Sequence, residues 1–288
     1  MSRVKKNGFT LIELVSVIVI LGVLATATTQ YIIFGTEIYV QGNERQQVLT
    51  QSRFLIERLT RELRAAIPNS VRVDASNACL EFVPIKTSGA YRTNVGAATP
   101  PVAPNAASTT LDVVSWDAQN SDENDRLYIY ATSSPEVYDG TNQLNDKFSR
   151  IFSVAETSAN SAPRYTITFK RDASDTAPSP DRFATGSPIT RYFTADRSVN
   201  YCFVANGELY DVYRFENFNY GPGQTVINSP SGVLMAEGLT NNLAVNPPFE
   251  FVDAALTRNS IVNLYLQFRA NVTENMFYNH EVHIPNVP

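Results

Sequence analysis

Cysteine, histidine and tryptophan are scarce in this chain. Its 288 residues include two Cys, two His and one Trp. Two cysteines are too few for a disulfide scaffold, and a four-ligand zinc site would need every Cys and His to converge. Positive charge is also short: 23 Lys and Arg against 28 Asp and Glu leave a net charge of −5. An acidic chain has no general attraction for phosphate backbones, so no nucleic acid is expected as a partner. Gly at 13 and Pro at 16 are ordinary numbers, which excludes collagen-like and low-complexity chains. No G-x-S-x-G, Walker A or dinucleotide-binding glycine string occurs, and no His stands near a nucleophile pattern, so nothing points to an enzyme. What the chain does have is 43% hydrophobic residues, with 14 Tyr and 16 Phe. That is enough for a large core and suits a β-rich body.

Charge is nearly absent from one long stretch near the start. Arg3, Lys5 and Lys6 precede it, and from Phe9 to Thr36 the 28 residues hold a single charge, Glu13. At about 1.5 Å per residue, roughly 20 of them cross a hydrocarbon core of about 30 Å. A lone spanning segment must be helical, because its backbone groups have to bond internally. Positive residues before the run predict a cytoplasmic N-terminus, with Glu37 to Pro288 across the membrane. The run is too long for a secretory h-region and ends without a clear A-x-A site. A carboxylate at mid-bilayer costs about 2.5–3.5 kcal/mol on insertion scales, so Glu13 is a candidate functional residue.

The string Gly8-Phe9-Thr10-Leu11-Ile12-Glu13 after a short basic leader resembles the prepilin signal of type IV pilins and type II secretion pseudopilins. The resemblance implies cleavage by prepilin peptidase between Gly8 and Phe9, and N-methylation of Phe9. It also implies a subunit-assembly role for Glu13, which would pair with the N-terminal amine of a neighbouring subunit. Such a pair offsets much of the cost of two isolated charges in lipid. Loss of Arg3, Lys5 and Lys6 would take the net charge from −5 to about −8. The implied fold is α+β, a lollipop in which a long N-terminal transmembrane helix packs on a β-rich globular head. Its parts would be a cleaved leader (1–8), a membrane half (9–36) and an amphipathic half of the helix (37–67), and the head (68–288). The implied partners are prepilin peptidase, the major and other minor pilins, the inner-membrane assembly platform and the lipid bilayer.

Helical spacing continues past Gln41. Val48, Leu55, Leu59, Leu63 and Ala66 form one stripe that should face a body. Arg53–Glu57, Glu57–Arg61 and Arg58–Glu62 are opposite charges four apart on the outer sides. Pro68 should end the helix, which from Phe9 to Ala66 would measure about 87 Å. Major pilins often carry a Pro where this chain has Gln30. Here the weak points are glycines, and any kink or melting is expected near Gly35–Gly42.

Beyond Pro68 the periodicity turns to strands. Candidates are 70–73, 79–84, 111–116, 127–131, 164–170, 191–194, 199–205, 208–215, 232–236, 261–270 and 276–284. Asn206-Gly207 predicts a type I′ hairpin turn. The segments 87–110, 173–187 and 219–231, the first two rich in Pro, read as exposed loops. One elaborated head is expected, with room for two β subdomains.

Three body features resemble the larger minor pilins, above all those of the mannose-sensitive haemagglutinin (MSHA) type of pilus, and J-type pseudopilins. They are the Phe54–Arg64 helix segment, Asn200-Tyr201-Cys202-Phe203 with the following Asn206–Tyr210, and the ending Glu281–Pro288. The implied role is a minor pilin of the initiation or tip complex of a type IV pilus, moving from the bacterial inner membrane to the cell surface. A J-type pseudopilin and a tip adhesin, binding through the loops at 87–110 or 173–187, are the alternatives.

Other chemistry is thin. Cys79 and Cys202 lie in candidate strands on the oxidising side, where an even pair favours a disulfide over two buried thiols. Asp117, Asp122, Glu123 and Asp125 crowd one connection and would make a weak Ca²⁺ site, though the spacing is not that of an EF-hand, and a solvated acidic loop fits better. His280 and His283 fall three apart in a strand, on opposite faces, so they cannot share a metal.

Overall fold

The structure is a computed structural model that describes residues 8–93, 100–103, 105–138, 146–158, 164–224, 226–227, 230–252, 260–271 and 274–284. Arg3, Lys5, Lys6 and Pro285–Pro288 fall outside the described residues.

One helix, α1 (Leu11–Arg64, 54 residues), runs unbroken for about 81 Å. Thr10 stands before it in extended conformation. Pro68 cannot continue it, and the chain tightens through Ala65 N–H to Glu62 O (3.1 Å) and Ala66 N–H to Leu63 O (3.2 Å). The melting expected at Gly35–Gly42 does not occur: all eight residues are helical. Without Pro, each N–H keeps its i−4 acceptor, and three scattered glycines do not outweigh cooperative propagation.

The head is antiparallel throughout its named strands. One sheet contains β1 (Arg72–Val73), β2 (Cys79–Phe82), β9 (Ser198–Asn206), β10 (Leu209–Asn217), β11 (Val233–Leu239), β12 (Phe249–Val252), β13 (Ser260–Arg269) and β14 (Asn275–Ile284). Its order is β1-β2-β9-β10-β11-β13-β12, with β14 also pairing β13. A closed barrel is built from β3 (Thr87–Tyr91), β4 (Thr110–Val114), β7 (Arg164–Lys170), β6 (Phe148–Ser158), β5 (Arg126–Tyr128) and β8 (Arg191–Ala195), in that spatial order. A short helix, α2 (Ser134–Tyr138), follows β5.

The stripe on α1 buries Val48, Leu55, Leu59 and Leu63, with Ala66 just past its end, against one face of the sheet, where they meet Leu80, Tyr201, Phe203, Leu264 and Val282. Alternation is clean in β13, whose even-numbered residues face this core side and whose odd-numbered residues pair outward. On the opposite face Cys79 and Cys202 sit directly across β2 and β9 and form a disulfide, with Cα atoms 4.1 Å apart. Val204 and Ile227 pack beside them. The barrel has its own interior, including Leu111, Leu127, Ile151, Ile167, Phe169 and Tyr192. A third cluster, with Ile67, Val83, Tyr128, Tyr138 and Tyr220, fills the joint between helix end, sheet and barrel.

Several local expectations are corrected. The hairpin turn between β9 and β10 is centred on Gly207-Glu208, because Asn206 pairs Leu209 in the ladder. Gly207 has φ +63° and Glu208 is not in the left-handed region. That is the sign pattern of a II′ turn, with glycine first, rather than I′. The segment 87–110 opens with β3, and its Pro100–Val102 stretch is buried. Val102 bridges Phe183, and Ser108 bridges Asp181. Thus the two Pro-rich segments are pinned to each other, since Phe183 inserts among the barrel aromatics. Pro104 lies outside the described residues. In the 219–231 connection Tyr220 is buried in the joint cluster and Ile227 packs beside the disulfide. The strands β6 and β12 and the helix α2 have no counterpart in the expected set.

Candidate functional site

The N-terminal turn of α1 follows from its residues. Thr10 C=O accepts from Glu13 N–H (3.1 Å) and Leu14 N–H (3.2 Å). Glu13 reaches back: its Oε2 lies 3.4 Å from both Thr10 N and Thr10 Oγ1. This is the acidic half of a capping box, and it sets a carboxylate over the positive end of the helix dipole. Phe9 is 77% exposed. Among the described residues no cation meets Glu13.

From Leu11 to Val40 the helix is exposed on every side. It is long and apolar enough to cross a membrane, and among the described residues none buries that stretch. Its hydroxyls are satisfied locally. Ser16 donates to Glu13 O (2.9 Å), Thr26 to Val23 O (2.9 Å), Thr29 to Ala25 O (2.8 Å) and Thr36 to Ile33 O (2.7 Å), while Thr28 donates to Leu24 O. Such back-bonding removes the penalty of a bare hydroxyl in an apolar medium.

Three polar contacts fix the second half of α1 to the head. Arg45 pairs with Glu274 beyond β13 (2.8 Å). Gln51 Nε2 approaches Glu237 Oε1 (3.4 Å). Glu62 is the most connected: Arg214 Nε bonds both its oxygens (3.0 Å each), Arg58 Nε reaches Oε1 (3.1 Å) and Tyr201 OH donates to Oε2 (3.1 Å). Burial first, and then the Glu62 charge, pushes the Tyr201 phenol well above its ordinary range. Of the three expected helix-surface pairs, Arg58–Glu62 forms. The Arg214 contact spans 152 residues and left no local signal in the sequence.

The four acids considered for calcium do not converge. Asp122 Oδ2 and Asp125 Oδ2 meet Lys86 Nζ at 2.7 and 2.8 Å, and Asp196 lies 3.7 Å from it. Glu123 instead pairs with buried Lys170, and Asp117 accepts from Ser115 Oγ (2.6 Å). A lysine ammonium therefore stands where a cation would sit. Among the described residues no group of three or more His, Cys, Asp or Glu is arranged to hold a metal. Burial opposes charge on Lys86, but the hydrogen bonds to Asp122 and Asp125 outweigh it and hold its pKa above the ordinary 10.5. Burial pushes the Asp125 carboxyl up, with Lys86 opposing. This cluster ties the β2–β3 crossing to the loop before β5, and its work is structural.

Comparison with known proteins agrees with the N-terminal segment. The family model described as the prokaryotic N-terminal methylation motif matches residues 3–29. No curated protein and no solved structure matches the chain. With the methylation motif at the head of a helix that is half naked and half packed on a β-rich body, the chain has a pilin-like α+β build.

Proposed function

We propose that the chain is a minor pilin, cut by prepilin peptidase between Gly8 and Phe9, methylated at Phe9 and built into a type IV pilus of the MSHA kind, where it serves the initiation or tip complex. The observation that carries this reading is the division of α1. Its methylation-motif half has no cover among the described residues, while its second half is packed on the head. An apolar rod of this length needs lipid or neighbouring rods around it. In this reading the N-terminus begins in the cytoplasm, the head lies in the periplasm, and Glu13 meets the amine of a neighbouring Phe9. A head with an added barrel is easier to seat at a filament end than along a packed shaft. The body features resemble those of MshO, the MSHA pilus biogenesis protein, and this resemblance supports the pilus reading. The same features support a second reading, a J-type minor pseudopilin. A tip adhesin finds less support, because the segments 87–110 and 173–187 are bridged to each other at Val102–Phe183 and Ser108–Asp181.

The test is crosslinking in native membranes, followed by mass spectrometry of the attached chains, for the wild type and for Glu13→Gln. Recovery of a major adhesive pilin and its minor pilins supports the proposal. Recovery of secretion pseudopilins moves the chain to the type II system. Glu13→Gln should insert normally and lose most of these crosslinks. Unchanged crosslinks in that variant would remove Glu13 from assembly.

A further inference from the structure

Where α1 leaves its naked half, a cleft of about 670 Å³ opens between the helix and the base of the head. Its helical wall carries Glu37, Val40 and Glu44, spaced to share one face. Its other wall is Leu209 at the β9–β10 turn, with Arg269 and Ala270 at the end of β13. The Arg45–Glu274 ion pair (2.8 Å) anchors the helix to the head nearby. A narrower continuation of about 340 Å³, also bordered by Arg269, runs on beneath the helix. Volumes of this size suit a headgroup with the upper part of its chains.

Depth and charge together identify the occupant. The inference rests on the reading that the naked half of α1 lies in a bilayer. Thr36 is about 39 Å along the helix from Thr10, and a bilayer with its headgroups is about 40–45 Å thick. Measured in this way, residues 37–40 reach the outer edge of the headgroup layer, and Glu44 stands about 6 Å beyond it. Tyr39 on the helix is 78% exposed, and amphipathic rings of this kind anchor proteins to lipid at headgroup depth. The cleft's charges have both signs. Arg269 is a cation, and Glu37 and Glu44 are anions. Among the described residues none of the three has an ion-pair partner. A purely anionic lipid would satisfy Arg269 and be repelled by two carboxylates. A phosphate joined to a primary ammonium satisfies all three groups, with the ammonium donating to carboxylates, as a quaternary choline cannot.

We propose that this cleft binds the headgroup of a phosphatidylethanolamine-type phospholipid, phosphate on Arg269 and ammonium between Glu37 and Glu44. The lipid would fasten the base of the head to the membrane before the subunit is extracted into a filament.

The full-length chain is reconstituted in vesicles of phosphatidylcholine, alone or mixed with phosphatidylethanolamine or phosphatidylglycerol. Flotation reports insertion, and native mass spectrometry after mild extraction reports retained lipid. The wild type should retain phosphatidylethanolamine in preference to the other two. Arg269→Gln, and Glu37→Gln with Glu44→Gln, should each lower that retention about tenfold, while Arg269→Lys keeps most of it. Equal retention of all lipids, a preference for phosphatidylglycerol, or retention unchanged in the variants overturns the proposal while leaving the membrane reading intact. A chain that floats with no vesicle composition overturns both. Protection of a cleft label by a second copy, independent of lipid, assigns the cleft to a neighbouring subunit instead.

Discussion

At the scale of single residues, one carboxylate reports how the head answers to acid. Glu216 accepts from Arg214 Nη1 (2.8 Å). That hydrogen bond first, with Arg197 adding, holds its carboxyl below the ordinary 4.5 against a smaller effect of burial. The unfolded chain therefore takes up this proton before the folded one does. The stabilisation is complete above the unfolded pKa and is lost as pH falls through the folded value. We expect the melting temperature of the detergent-solubilised chain to fall more steeply below about pH 4.5 than that of Glu216→Gln. Equal slopes would show that the Arg214–Glu216 contact contributes nothing measurable.

At the scale of elements, α1 is where local pattern and tertiary outcome agree. The positions at 48, 55, 59, 63 and 66 were legible because helical spacing repeats whatever the partner surface is. Their burial gives Leu59→Ala a definite expectation: Leu59 is 1% exposed, and its truncation should destabilise the head by about 3 kcal/mol. Chemical denaturation with an unchanged m value would confirm it, and a loss below about 1 kcal/mol would mean the cavity collapses freely. The strands were legible where alternation is long, as in β13, β14 and β7. They were hidden where a bulge breaks the period. In β6 the register shifts between Ile151 and Ser153 and again between Glu156 and Ser158, which scrambles the two-residue rhythm. The strand β3 was masked by its own composition, Thr-Ser-Gly-Ala-Tyr, and holds its place by pairing rather than propensity. A Cβ on Gly89 would come within 2.6 Å of Val114 O, so β4 approaches too closely there for any other residue. At the N-terminal site, the residues from Gly8 to Glu13 carry their own local signal. The α1–head clamp through Arg214 and the Lys86 cluster depend on contacts made far along the chain, and no spacing announces them.

At the scale of the molecule, the disulfide closes a loop of 123 residues in sequence separation, and that loop contains the whole barrel. In the chain-entropy account, cross-linking so long a loop destabilises the unfolded state by about 4–5 kcal/mol. Replacing Cys79 and Cys202 together by Ser should lower the urea midpoint accordingly, and reduction of the wild type should do the same. A midpoint unmoved by both changes would mean that the packing of β2 on β9 suffices without the covalent bond.

The barrel joins the sheet at a single doorway. The chain leaves β2 at Phe82 and re-enters β9 at Ser198, with Phe82 opposite Val199 in the ladder. A pull on the barrel, such as a filament tip would feel on meeting a surface, reaches the helix-bearing sheet through those two strands. A tear opening at Phe82–Val199 advances three ladder positions and then meets Cys79–Cys202, the covalent link between the two strands. The disulfide is thus placed as a rip-stop. The barrel can yield under tension while the part of the head that holds α1 stays whole.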